Sequence, residues 1–187
     1  MSIRAFTLIE LLIVVAIISI LSAIAVPNFL EAQARSKVAR TENDLRTIAT
    51  ALELYRVDTN AYPRAELFDS LSRRTRLLTT PVSYISDLPK DPFFQLQNSV
   101  FGGDTPEYAY APGNIYFGLG SQYNLAEYRN QIYSIAGRGP DANIFVGGYC
   151  MAHPLADING TRTLGTYDPT NGTVSAGDIL RLSPGKF

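Results

Sequence analysis

From Phe6 to Val26 the chain is apolar at every position except Thr7, Glu10, Ser19 and Ser22, and Pro27 closes the run. A helix needs about 20 apolar residues to cross a bilayer. These 21 residues are apolar all round rather than on one face, which a soluble core helix rarely is. After Pro27 the pattern changes. Val38, Leu45, Ile48, Leu52 and Tyr55 recur at spacings of 7, 3, 4 and 3, one stripe of an amphipathic helix. Glu31–Arg35 and Glu42–Arg46 stand four apart in the favourable orientation. No glycine precedes Gly102, and no proline lies between Pro27 and Pro63. The pattern predicts one helix from about Phe6 to Val57, roughly 75–80 Å long. Pro27 predicts a kink in it, because proline removes a helical hydrogen bond. A secretory signal cut after Ala23-Ile24-Ala25 would discard half of this element, and only Arg4 among Met1–Ala5 is basic, so that reading is set aside.

Beyond Tyr62-Pro63 the helical period stops and glycine and proline become frequent. Ala65–Leu78 predicts a short helix, and the proline-rich stretch from Pro81 to Phe94 a loop crossing. Short β-like stretches follow at Glu107–Ala111, Asn114–Phe117, Gln131–Ala136, Ile144–Tyr149 and Asp178–Leu182, separated by turn-forming Pro112-Gly113, Gly137–Pro140 and Asn171-Gly172. The expected fold class is α+β: a long helix, apolar then amphipathic, packed on a small antiparallel sheet. The expected segments are a leader at 1–5, a transmembrane and assembly half at 6–27, an amphipathic half at 28–62 and a head at 63–187.

Glu10 is the position that demands a reason, since a charge in a membrane span costs about 2.5–3.5 kcal/mol on insertion scales and marks a function. Its simplest role is to favour the first turn of the helix through the macrodipole. The combination Ala5-Phe6-Thr7-Leu8-Ile9-Glu10, the apolar run and Pro27 resembles the type IV pilin and type II secretion pseudopilin family. The resemblance implies that a prepilin peptidase cuts between Ala5 and Phe6 and methylates the new amine of Phe6. Glycine is usual before the cut; here it is Ala5. A positive amine would then sit in the apolar core of a filament, where an unpaired charge is expensive. Glu10 of a neighbouring subunit would pair with it and set the register. Pro27 would be the point where the helix kinks, or melts in an assembly. The implied partners are the peptidase, identical and related subunits, and an inner-membrane assembly platform. The implied location is a single pass through a bacterial inner membrane, with the head in the periplasm or outside the cell.

Within that family the head resembles the major, G-type pseudopilin. Leu88-Pro89-Lys90-Asp91-Pro92-Phe93 resembles its crossing loop, Tyr133–Asp141 its glycine-aspartate turn, and Asn60-Ala61-Tyr62-Pro63 the end of its long helix. That subtype binds calcium after the turn, and Asp141 carries over by position. Ala142 stands where glycine is expected, and Asn143–Gly148 replaces an acidic stretch. Asp157, Asp168 and Asp178 are further carboxylates, and Asp141 can equally cap the turn. The ending from Tyr167 to Ile179 departs from the subtype.

Charge and composition narrow the picture. The 16 basic and 17 acidic residues of this 187-residue chain balance, which argues against nucleic-acid binding. The single cysteine, Cys150, excludes the intrachain disulfide that many major type IV pilins carry and favours a pseudopilin. Cys150 and the single histidine, His153, are two ligands where zinc takes four. Arg73, Arg74 and Arg76 read as a solvated face, Asn159-Gly160-Thr161 and Asn171-Gly172-Thr173 as turns, and the tyrosines and phenylalanines as strand packing. No catalytic constellation stands out. The expected function is a structural pseudopilus subunit. The alternatives are a type IV pilin for adhesion, motility or DNA uptake, and a membrane-anchored binding or enzymatic domain.

Overall fold

A computed structural model describes residues 6–64, 75–95, 106–112, 133–142, 167–175 and 177–183. Helix α1 runs Leu8–Thr59, 52 residues, and continues through Pro27. The missing N–H of Pro27 leaves the carbonyl of Ala23 without its helical donor. At the far end Asn60 takes a left-handed φ of 57°, and its N–H bonds to the carbonyl of Arg56 at 2.7 Å. Asparagine tolerates this conformation and closes the helix. The end expected near Val57 thus falls two residues later.

The chain forms two compact units, Met1–Ser36 and Lys37–Phe187. In the described part of the first, every large apolar side chain from Phe6 to Leu30 is exposed, and Ser19 donates its hydroxyl to the carbonyl of Val15 at 2.7 Å. Such back-bonding hides the hydroxyl and leaves the surface effectively apolar.

The second unit holds the sheet. Strands β1 (Ala109–Pro112), β2 (Tyr133–Gly137) and β3 (Ile179–Ser183) form an antiparallel sheet in the order β1-β2-β3. Ala109 pairs with Ala136 and Tyr110 with Ile135; Ile135 in turn pairs with Arg181. β2 is buried at all five positions, as a strand must be when it has neighbours on both edges and cover on its faces. The expected strands at Glu107–Ala111, Gln131–Ala136 and Asp178–Leu182 are present with ends shifted by one or two residues. Those at Asn114–Phe117 and Ile144–Tyr149 lie outside the described residues. Of the predicted helix Ala65–Leu78, the described end is a 3₁₀ turn, Arg76–Leu78.

Val38, Leu45, Ile48 and Leu52 of the predicted stripe are buried and share one core with Tyr62, Leu78, Phe93, Tyr108, Tyr110, Tyr133, Ile135 and Ile179; Tyr55 packs at its margin. Thr41 belongs to the same stripe and is fully buried. It is there because β2 presses close. A Cβ added to Gly137 would lie 2.5 Å from Thr41 Cγ2 and 2.8 Å from Tyr108 Cε1, so only glycine fits at the end of β2.

The tyrosines link core to helix. Tyr108 donates its hydroxyl to Asp44 at 2.8 Å, Tyr62 to Glu53 at 2.9 Å and Tyr84 to Asp58 at 2.8 Å. Arg56 donates to the Tyr62 hydroxyl at 3.0 Å. Three acids of α1 thereby receive phenolic hydroxyls whose rings lie in or against the core, an arrangement that serves both ends of an amphipathic aromatic side chain.

Two leucines two positions apart test the packing. Leu52 is 0% exposed and Leu54 is 49% exposed. Leu52→Ala is expected to cost about 2–5 kcal/mol, and Leu54→Ala no more than about 0.5 kcal/mol, measured by chemical denaturation of the full chain in detergent and followed by tyrosine circular dichroism.

Candidate functional site

The start of α1 is a capping box. Thr7 donates its backbone N–H and its hydroxyl to Oε2 of Glu10, at 2.9 and 2.6 Å, and the N–H of Glu10 donates back to Thr7 Oγ1 at 3.3 Å. The spacing Thr-x-x-Glu before an apolar run is the sequence signature of this reciprocal bond, which gives Glu10 a local role beyond the macrodipole. Both bonds to the carboxylate use Oε2, and among the described residues nothing donates to Oε1. Phe6 is 74% exposed, and Ala5 lies outside the described residues. The first turn therefore presents an exposed phenylalanine, an oriented carboxylate with one uncommitted oxygen, and an uncovered apolar helix.

In the head, the crossing loop and the glycine-aspartate turn meet at Asp91. Asp91 Oδ1 accepts the N–H of Phe93 at 2.8 Å, an Asx turn stiffened by Pro92. Asp91 Oδ2 accepts the N–H of Arg138 at 2.8 Å, where the chain leaves β2, and faces Arg138 Nη1 at 3.5 Å. Both side chains are almost wholly buried. The Arg138 guanidinium lies over the Phe94 ring at 4.9 Å, and Lys37 of α1 over Phe93 at 5.6 Å. The N–H of Asp91 reaches the carbonyl of Pro106 at 2.8 Å, and Lys90 bridges to Glu107. One carboxylate thus builds its own turn with one oxygen and holds the exit of the central strand with the other.

Burial pushes the Asp91 carboxyl above the ordinary aspartate range, and the N–H groups and charge of Arg138, with the N–H of Phe93, pull only partly against it. Burial also raises the Tyr108 hydroxyl, with Asp44 acting in the same direction, so the phenol stays protonated and donating.

Asp141 stands in the turn after Arg138. Its Oδ2 accepts the N–H of Gly177 at 3.2 Å, and the Ala142 N–H closes the turn onto the carbonyl of Gly139 at 2.9 Å. Ala142 has a φ of 57°, which explains why the resembling turn favours glycine at this position. Calcium takes 6–8 oxygen ligands. Among the described residues no three acidic, histidine or cysteine side chains gather as a metal site. Asp157, Cys150 and His153 lie outside the described residues.

Comparison with known proteins agrees with both regions. Residues 1–26 match a family model described as the prokaryotic N-terminal methylation motif, and residues 28–108 match one described as type II secretion system protein G. A type II secretion system core protein G from Pectobacterium carotovorum is 30% identical over 104 residues, covering 51% of this chain and 67% of that protein. This chain belongs to the type II secretion system core protein G family. Another core protein G, from Pseudomonas aeruginosa, is 34% identical over 94 residues, 47% of this chain and 66% of that protein. The type IV major pilin protein PilA of Myxococcus xanthus is 51% identical over 59 residues, 32% of this chain and 27% of that protein. The chain thus spans less than two thirds of the length of the Myxococcus and Pseudomonas relatives. No solved structure matches. The Leu88–Phe93 crossing falls inside the protein G match, whereas Arg138 and Asp141 lie beyond it.

Removing Asp91 strands a buried guanidinium, so Asp91→Ala is expected to cost about 3–5 kcal/mol, read by denaturation. The sign of its pH dependence is unusual for an aspartate. A carboxyl raised by folding binds its proton more tightly in the folded state, so its contribution is greatest in acid and falls as pH climbs through the raised value. The stability advantage of the wild type over Asp91→Asn should therefore shrink from about pH 3 toward pH 7; an advantage that grows over this range would contradict the assigned shift.

Proposed function

We propose that this chain is a structural subunit of a type II secretion pseudopilus, with no catalytic role. Prepilin peptidase cleaves it between Ala5 and Phe6 and methylates the Phe6 amine. α1 holds the chain in the bacterial inner membrane by a single pass, and the head faces the periplasm. An inner-membrane platform then packs it with identical and related subunits into a filament. The observation that carries this reading is the exposed apolar surface from Phe6 to Leu30 with a single oriented carboxylate at its start. Such a surface needs lipid or other helices around it, and a plain anchor needs no acid.

In the assembly, Glu10 Oε1 accepts the Phe6 amine of a neighbour while Oε2 stays with Thr7. The capping box orients the acceptor before the partner arrives, so less side-chain freedom is lost on pairing. Pro27, which has no N–H to close the helix, is the place where α1 yields when subunits pack. The segments are 1–5 as leader, 6–27 for membrane and filament packing, 28–62 as the helical spine of the head and 63–187 as the head.

A second reading, a type IV pilin, is favoured by the Myxococcus match. The two differ in phenotype: deletion of a pseudopilin stops protein secretion, whereas deletion of a pilin stops surface adhesion, motility or DNA uptake.

Glu10→Leu tests the pairing. The variant should enter the membrane as well as the wild type, since the span becomes more apolar. Filament yield should fall at least about tenfold, because the neighbour's amine is left buried and unpaired. Filaments at the wild-type level, quantified from sheared cells, would refute the role given to Glu10.

A further inference from the structure

A small cavity lies where several stretches of the head meet. Ile48 of α1 and Ile135 of β2 give it apolar walls, and Leu88 of the crossing loop adds to them. Thr75, which precedes the 3₁₀ turn Arg76–Leu78, and Glu107, just before β1, bring polar side chains to it. Its volume is about 10 Å³, which is room for one water molecule and for nothing larger.

Glu107 has an oxygen that calls for such a molecule. Its Oε2 is buried, and no donor among the described residues reaches it. Buried polar atoms in folded proteins are almost always hydrogen-bonded, to the protein or to ordered water, because an unmet acceptor keeps the full cost of leaving solvent. The phenols beside the cavity are committed elsewhere. Tyr108 donates its hydroxyl to Asp44 at 2.8 Å, and Tyr110 donates to the carbonyl of Pro63 at 2.8 Å. A cavity of one-water size and an orphaned acceptor thus coincide at the same residue. Cavities that stay dry are lined by apolar groups alone, and this one is not.

We propose that a single ordered water occupies this cavity and bridges Glu107 Oε2 to Thr75. A carboxylate oxygen only accepts, so the water donates one proton to it. Thr75 is 4% exposed, and a hydroxyl both donates and accepts, so it can hold the water while keeping a bond of its own. The bridge joins the entry of β1 to the start of the 3₁₀ turn, directly over Ile48. It fastens the turn and the sheet to one point on the helix.

The test is water-to-methyl nuclear Overhauser spectroscopy on the full chain in detergent micelles, deuterated except for its isoleucine methyl groups. Ile48 and Ile135 are 3% and 0% exposed, so bulk solvent does not reach them. In the wild type their methyl groups should show cross-peaks to water, with the sign of a molecule that tumbles with the protein. Glu107→Gln keeps an acceptor oxygen and should keep the cross-peaks. Glu107→Met puts an apolar chain in place of the acceptor and should lose them. A wild-type spectrum without these cross-peaks would overturn the proposal. Cross-peaks of equal strength in Glu107→Met would overturn it too, since they would then arise from a tyrosine or threonine hydroxyl exchanging with solvent. If Glu107→Met does not fold, the loss of the cross-peaks in Glu107→Gln would count against the bridge and their retention for it. The filament role rests on α1 and is untouched by any of these results.

Discussion

An apolar helical surface that no other described residue covers is the constraint on which everything else depends. Sixteen large apolar side chains between Phe6 and Leu30 are exposed. At about 1.5–3 kcal/mol for burying each, leaving them in water costs more than the 5–15 kcal/mol by which a domain is typically stable. Their cover must come from lipid or from other copies of the same helix. Glu10 is the one charge on that surface, and Thr7 holds its carboxylate oriented through two hydrogen bonds.

The other half of the same helix solves a different problem. From Val38 onward its stripe is covered by the sheet, and its polar flank is used as well, as Asp44, Glu53 and Asp58 take tyrosine hydroxyls from Tyr108, Tyr62 and Tyr84. Asp91 and Arg138 then join the crossing loop to the exit of β2. Polar contacts between separate segments thus join the head to the helix, and the Asp91–Arg138 pair is the buried one among them. A buried pair of this kind is costly to break from one side, which is what a subunit needs if its head is to stay folded while its helix moves from membrane to filament.

How much of this was legible in the sequence follows from the range of each interaction. The helix and its stripe were legible because period and capping are local: Val38, Leu45, Ile48 and Leu52 are all buried as their spacing requires. Thr41 is not legible as core, because a threonine on an apolar stripe becomes intelligible only with Gly137 against it. The capping box of Thr7 and Glu10 is legible in its spacing, since both partners lie within one turn. The Asp91–Arg138 pair spans 47 residues and leaves no local mark; the motifs on each side pointed to a family but not to each other. The ending from Tyr167 to Ile179 shows only a turn in its sequence; the contact of its Gly177 with Asp141 spans 36 residues and leaves no local mark.

The central claim is that this helix is made to be cut at its start and packed against copies of itself. Intact-mass and N-terminal fragment analysis of the chain recovered from cells that express a prepilin peptidase tests it most directly. The account requires a mature chain that begins at N-methylated Phe6, with Glu10 and the whole apolar surface retained. A chain still carrying Met1–Ala5 in those cells, or one that begins at Val26 with the apolar helix gone, would contradict it.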